Sequence, residues 1–326
     1  MKVTPANIRM WARLGQRGTF FGVALPEIAK DKENLKLITA DVATLAGMTG
    51  FQKKYPQKFL NVGIAEQNMI GIAAGLAMSG CCVFASTYAS FIAVRSLEHI
   101  RQHLAHMRLN VKIVGFSAGT MMAKSGISHW ATEDLAFMRV LPNLQVFSPA
   151  DALEAAKIAE YAASIEDPVY IRISGGPNCP IVYTQDYDFQ AGKIVTLREG
   201  NDVGIIATGA MVNSSLEAAK ILQNEGISAA VYNMHTIKPI DESGLKNIFG
   251  RHKLIVTVEE HNITGGMGSA VAEFKAKFEN TPRQIFIGVQ NFLDYAGSHN
   301  YVLNVLGLTP EKISAAIKEQ WSSYHA

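Results

Sequence analysis

Phe59-Leu-Asn-Val-Gly-Ile-Ala-Glu66-Gln-Asn-Met-Ile-Gly-Ile-Ala-Ala-Gly-Leu-Ala77 opens as a short apolar run, turns at a glycine and continues as a helix of apolar and small residues. A strand that passes through a glycine turn into a helix is the building step of a parallel α/β sheet. Glu66 sits at the handover, on the carboxyl edge, where open α/β sheets bind ligands. The helix dipole alone favours a first-turn carboxylate there. No formal charge follows until Arg95, however, so Glu66 stands among apolar and small residues, where a carboxylate can be tuned as a proton donor or acceptor.

The same rhythm extends in both directions. Apolar runs at 35–39, 59–62, 82–85, 111–115, 144–147 and 169–173 read as strands, with helix-length segments between most of them. Near-continuous Val/Ile/Leu strands separated by helices indicate a parallel sheet covered on both faces. The turn-rich stretch from Ser174 through Pro180 to Asp188 reads as an interdomain linker. A smaller unit follows, with strands at 203–207, 229–233 and 254–258, and helices at 213–224, from Asp241 and after Gly268. The expected fold is therefore α/β, two doubly wound, mostly parallel sheet domains, with boundaries at 1–174, a linker at 175–191 and 192–326.

Composition narrows the function classes. The chain has 326 residues, 30 Lys+Arg against 28 Asp+Glu for a net charge of +2, 48% hydrophobic and 18% charged residues. At about 150 residues per domain this is two domains, each able to bury a core without disulfides or metal. Without a basic run, nucleic acid and anionic membranes are not expected partners. Three cysteines, Cys81, Cys82 and Cys179, form neither a disulfide framework nor a zinc motif, which fits a reducing cytoplasm. The uncharged stretch 69–94 is long enough to span a bilayer. Its glycines and serines instead divide it into a helix, a turn at Ser79-Gly80, a strand and a polar loop.

The string Asn61-Val-Gly-Ile-Ala-Glu-Gln-Asn-Met69 resembles the catalytic-glutamate motif of thiamine-diphosphate enzymes of the transketolase family. Ser86-Thr-Tyr-Ala-Ser-Phe91 resembles that family's pyrimidine-stacking loop, and Leu141 to Asp151 the end of its pyrimidine-binding domain. Asn233-Met-His-Thr-Ile-Lys-Pro-Ile-Asp241 and Val258-Glu-Glu-His-Asn-Ile-Thr-Gly-Gly-Met-Gly268 resemble its C-terminal domain. The Gly-Asp-Gly motif by which a full-length transketolase holds magnesium and diphosphate is absent. The chain thus resembles the C-terminal subunit of a split transketolase. The resemblance implies an N-terminal partner subunit that supplies the diphosphate site and Mg2+, assembly as a dimer of heterodimers, and inactivity of the chain alone.

By this resemblance, Glu66 hydrogen-bonds the N1′ ring nitrogen of the cofactor's aminopyrimidine and is the catalytic residue. Tyr88 and Phe91 hold that ring, with Val94 where a third aromatic is often found. Asp41 lies near the cofactor across the subunit boundary. The implied reaction is transfer of a two-carbon ketol unit from a ketose to an aldehyde, with the chemistry supplied by thiamine diphosphate. Locally, Tyr88 and Phe91 also suit ordinary core packing and Asp41 a solvated strand end.

The resemblance breaks down in the loop Gly115 to His129. His129 stands where the family contacts the sugar, but Ser117 replaces a phosphate-binding histidine and Ser125 an aspartate that reads a hydroxyl. Leu45 falls where a phosphate-binding serine is expected, and Gly175 where an arginine clamps the phosphate, Arg172 being displaced by three. Losing these donors removes charge-assisted bonds to a phosphate dianion, so the expected substrate is not an ordinary sugar phosphate; Lys124 offers partial compensation. The nearest rival enzyme is the beta subunit of a 2-oxo-acid dehydrogenase, and a rival of another class is a non-catalytic scaffold subunit. His99, His103 and His106 share a helical face at metal-capable spacing, but without an acidic or cysteine ligand nearby they read as a polar surface or subunit contact, and no metal site is assigned. Gly265-Gly-Met-Gly268 reads as packing, and Glu259, Glu260 and His261 as structural or interface residues.

Overall fold

Alternation along the strands sets the layers of the first domain. The computed structural model describes residues 1–292 and 296–325. Strands β1 (Leu35–Thr39), β2 (Phe59–Asn61), β3 (Cys82–Tyr88), β4 (Val111–Phe116), β5 (Gln145–Phe147) and β6 (Val169–Ile173) form one parallel sheet. Successive residues point to opposite faces. Ile38, Ala85 and Ile113 enter one core, while Leu37, Phe84 and Val114 enter the other. Each fully buried Leu, Ile or Phe contributes about 1.5–3 kcal/mol, and both faces are covered by helices. These include α1 (Pro5–Thr19), α2 (Glu66–Met78), α3 (Ala89–Arg95), α4 (Asp134–Arg139) and α5 (Ala152–Ser164).

The second domain carries β7 (Val195–Arg198), β8 (Val203–Ala207), β9 (Ala229–Asn233), β11 (Leu254–Asn262) and β12 (Arg283–Val289) in the order β12-β11-β8-β9-β7, with β7 antiparallel. Helices α6 (Met211–Asn224), α7 (Glu242–Arg251), α8 (Met267–Lys275), α9 (His299–Val305) and α10 (Pro310–His325) accompany it. Strand β10 (Thr236–Lys238) leaves this domain and pairs antiparallel with β5, so the first sheet runs β10-β5-β6-β4-β3-β1-β2. The two units are therefore mixed, mostly parallel sheets, and the second unit's segment lends one strand to the first sheet. The interface is also fastened by polar groups. The Arg172 guanidinium, 1% exposed, pairs with Asp134 at 2.9 Å and donates to the carbonyls of Ala131 (3.1 Å) and Glu260 (2.9 Å).

Three features differ from the expected elements. The polar loop expected after residue 85 is instead the end of β3 and the start of α3, because Ser86 and Thr87 are buried between β1 and β4. Strands β7, β10 and β12 lie outside the expected set: β7 and β10 are short, with four and three residues, whereas β12 holds the apolar run Ile285-Phe286-Ile287, which the sequence reading passes over. The second-domain helix begins at Met211 rather than 213. Among the described residues no helix is long and apolar enough to cross a membrane.

Candidate active site

Parallel strands bring their carboxyl ends to one edge, and the site residues collect there. In the first sheet the chain order reverses between β1 and β3, which opens the crevice where such sheets bind ligands. Asp41 follows β1, Glu66 follows β2, Tyr88 ends β3, and Ser117 follows β4. The β2–α2 turn depends on Gly63, whose φ of 77° lies in the left-handed region. Asn61 clips the two strand ends together: its side-chain oxygen accepts from the Asp41 amide (3.0 Å) and the Gly63 amide (3.1 Å), and its amide donates to Asp41 Oδ1 at 3.0 Å.

Glu66 is buried at the first position of α2, 7% exposed. The sequence makes it look isolated. In space, the next charge along the chain is its partner: Arg95 Nη1 donates to Glu66 Oε1 at 3.0 Å, and the guanidinium lies 4.0 Å over the Phe91 ring. Phe91 and Tyr88 meet edge-on at 5.4 Å, and His129 packs against both, at 5.2 and 5.5 Å. The structure thus brings Glu66, Arg95, Phe91, Tyr88 and His129 into one cluster. The His129 Nδ1 bonds the Ser128 hydroxyl at 3.0 Å. Leu60, Ile64 and Val94, exposed apolar side chains, border this edge. Ser125 and Lys124 are exposed on a short helical turn and make no contact within the ring cluster.

A second cavity, of about 180 Å3, adjoins the cluster through Phe116, whose ring is 5.0 Å from Tyr88. Arg17, Leu45, Ser117, Met121, Met122 and Gly175 are among its lining residues. The positions that the sequence marks as emptied of phosphate ligands therefore meet in space, and Arg17 enters among them. Its guanidinium lies 5.3 Å over Phe116 and reaches the Ser117 hydroxyl at 3.4 Å. Burial pulls its pKa below the ordinary arginine value; burial also pushes the Tyr88 hydroxyl above its ordinary value, and the positive charge of Arg17 offsets part of that rise. Among the described residues no carboxylate lies within ion-pair distance of Arg17. Sequence reading missed this residue; the one local signal is Gly15, whose φ of 76° breaks α1 and swings the following turn inward.

Other sequence features resolve as structure. Glu259 accepts from the amides of Met267 (2.7 Å) and Gly268 (2.8 Å), so the protein's own carboxylate fills the anion position of the glycine-rich turn. His99 and His103 touch at 5.7 Å between ring centres, and among the described residues no three His, Cys, Asp or Glu side chains converge as a metal site.

Comparison with known proteins agrees with this layout. The family model of the transketolase pyrimidine binding domain matches residues 17–176, and that of the transketolase C-terminal domain matches residues 192–313. The putative transketolase C-terminal section of Methanocaldococcus jannaschii is 39% identical over 302 residues, 92% of this chain and 94% of that protein. A 6-deoxy-6-sulfo-D-fructose transketolase subunit of a Clostridium species is 34% identical over 304 residues, 93% of each chain. Among solved structures, a split gene transketolase described as an inactive beta4 tetramer superposes with a TM-score of 0.85 and 41% identity, covering 95% of this chain and 98% of that one.

Proposed function

Because the chain belongs to the transketolase family, as the C-terminal part of a split enzyme, we propose that it supplies the aminopyrimidine half of a thiamine-diphosphate site completed by an N-terminal partner subunit. The observation that carries this reading is the Glu66–Arg95–Phe91 arrangement. There a flat, hydrogen-donating group already stacks on an aromatic ring while bonding a buried carboxylate. An aminopyrimidine makes the same two demands, so the residues present fit it. Bound thiamine diphosphate would supply the carbon nucleophile that carries a two-carbon ketol unit from a ketose to an aldehyde.

The chain's own residues then divide the work. Glu66 would hydrogen-bond the N1′ ring nitrogen, and its burial would keep that bond strong. Tyr88 and Phe91 would hold the ring, Asp41 would lie near the cofactor at the boundary with the partner, and His129, packed edge-on against Tyr88 and Phe91, would contact the sugar. Ser125, exposed beside His129, belongs to the outer channel. Diphosphate and Mg2+ are assigned to the partner subunit. The exposed Leu60, Ile64 and Val94 support a covering partner. Gly71, Gly75 and Met78, exposed on the outer face of α2, support close approach of a second copy in a dimer of heterodimers.

Substrate choice follows from the second cavity. Arg17 replaces a multi-donor phosphate clamp with one guanidinium flanked by Ser117, Leu45 and two methionines. One positive charge neutralises a monoanionic terminus and leaves a phosphate dianion half compensated. The proposed donor is therefore a ketose with an atypical, singly charged far end, for which a sulfonate or a carboxylate suffices. The relative named for 6-deoxy-6-sulfo-D-fructose supports that class.

Calorimetric titration of thiamine diphosphate with Mg2+ tests the reading, in the lone chain and in its complex with the N-terminal subunit. Tight binding in the complex alone is expected; binding in neither overturns it. Acyl transfer from pyruvate to a lipoyl domain would instead favour the 2-oxo-acid dehydrogenase reading.

A further inference from the structure

The second sheet reverses its chain order between β8 and β11, which creates another ligand crevice outside those strand ends. Here the crevice holds the first domain's own loop. Glu260, 1% exposed at the end of β11, reaches across the domain boundary. Its Oε1 accepts from the Thr120 amide (2.8 Å) and the Thr120 hydroxyl (2.6 Å), and from the His299 Nε2 at 2.8 Å. Gly119 presses so closely on it that a Cβ there would sit 2.6 Å from the carboxyl carbon. Gly119 also pairs with Ala131 through amide–carbonyl bonds of 2.9 Å in both directions, and Arg172 ties the Ala131 and Glu260 carbonyls together. Thr120 and Ala131 thus mark the two ends of the segment that bears His129 and Ser125.

We infer that Glu260, held by His299, is a positioning residue: it docks the neck of the 117–131 loop on the C-terminal domain and so sets where His129 meets the substrate. This rests on the proposed function for the identity of the loop's ligand, while the docking itself is a property of the chain. Trp130 and Ala123 pack against Val302 of α9, so the apolar side of the loop is seated on the helix that carries His299.

The bond is charge-assisted and sensitive to pH. Burial alone would push Glu260 up, but the charge of His299 and the donors of Thr120 hold it below its ordinary value. Burial alone would pull His299 down, but Glu260 raises it above its ordinary value. Among the described residues, the charged groups facing His299 are Glu260 from β11 and Glu311 of α10, which lines the same cavity of about 440 Å3; Arg172 from β6 reaches the Glu260 carbonyl rather than the imidazole. A raised imidazole contributes stability that is complete below its unfolded value of about 6.5. That contribution is lost as the pH climbs through the folded value.

Amide hydrogen exchange of residues 118–131 in the full chain, corrected for intrinsic pH dependence, tests the docking. His299→Ala should speed exchange there about tenfold or more at pH 6, the scale of a charge-assisted bond, and remove its pH dependence. His299→Gln, which keeps a donor without a titrating ring, should restore slow exchange and leave it independent of pH. In the reconstituted complex, His299→Ala should raise donor KM while kcat and cofactor affinity stay within about twofold. Thr120→Val, which deletes one hydroxyl, carries the same test if His299→Ala loses its cooperative unfolding transition. Exchange equal to the parent in both variants, or a fall in kcat and cofactor affinity at constant KM, overturns the inference. A parent complex that binds no thiamine diphosphate would refute the functional reading instead, and loop exchange would still decide the docking.

Discussion

Replacing Arg17 with alanine should separate the proposed recognition of the substrate's far end from the proposed chemistry at Glu66. The structural loss is small: one long hydrogen bond to Ser117 at 3.4 Å and a cation over Phe116 at 5.3 Å, in a side chain without a carboxylate partner among the described residues. Such contacts are worth below about 1 kcal/mol, so the unfolding midpoint should hardly move. For an anionic donor the loss is larger, because a charge-assisted bond in a half-buried cavity is worth about 1.5–3 kcal/mol. At about 1.4 kcal/mol per factor of ten, kcat/KM should fall roughly tenfold to a hundredfold. The assay compares ketoses of one carbon skeleton ending in sulfonate, phosphate or hydroxyl, with the complex of this chain and its N-terminal subunit. The parent should prefer the monoanion, and Arg17→Ala should erase that preference while changing the neutral donor less than about twofold. Arg17→Lys should recover part of it, since an ammonium supplies charge without the planar fork. An equal loss on charged and neutral donors, or an undiminished preference for the anion, would refute the reasoning. So would a parent that prefers the phosphate ester over the sulfonate.

The remaining sites make separate demands. Glu66→Gln should keep the fold and lower turnover of the reconstituted complex by roughly a hundredfold or more, because an amide cannot hold a proton as a carboxylate does; turnover near the parent's would exclude Glu66 from the chemistry. Arg95 is half exposed, so its pair with Glu66 is worth under about 1 kcal/mol. Calorimetry on Arg95→Ala should find cofactor affinity equal to the parent or a few-fold higher, whereas a tenfold loss would show that the guanidinium belongs to the bound state. Arg172→Met strands Asp134, which is 1% exposed, and should cost about 3–5 kcal/mol in urea unfolding. Adding Asp134→Asn should return part of that loss, and additive losses would sever the proposed coupling.

How much of this was legible in the sequence varies with the range of the interaction. Apolar runs such as 35–39, 169–173 and 203–207 declare themselves because both of their faces are buried, and the glycine turn before Glu66 fixes a strand-to-helix handover within four residues. β10 is not legible: three residues gain their place only by pairing with β5 from another domain. Motif strings pointed to Glu66, Tyr88, Phe91 and His129, which the structure brings together. The pairing of Glu66 with Arg95 escaped, because a gap in charge along the chain says nothing about the end of the next helix. Arg17 escaped for the same reason: it precedes Ser117 by a hundred positions, and only folding brings them to one cavity.

Leu45, Gly175 and Ser117 read singly as losses, but their shared cavity shows that they are coupled. A leucine beside two methionines makes the wall apolar, and a glycine in place of a long side chain leaves room for Met121, whose methyl carbon lies 2.8 Å from where a Cβ on neighbouring Gly176 would stand. Against such a wall the field of Arg17 is weakly screened, since fewer polar groups and less water compete for it. The same wall solvates a dianion poorly, which penalises the second negative charge more than the first. On the proposed reading, removal of surrounding donors would therefore shift selectivity toward one charge rather than abolish anion recognition, and an eroded phosphate clamp would become a discriminating one.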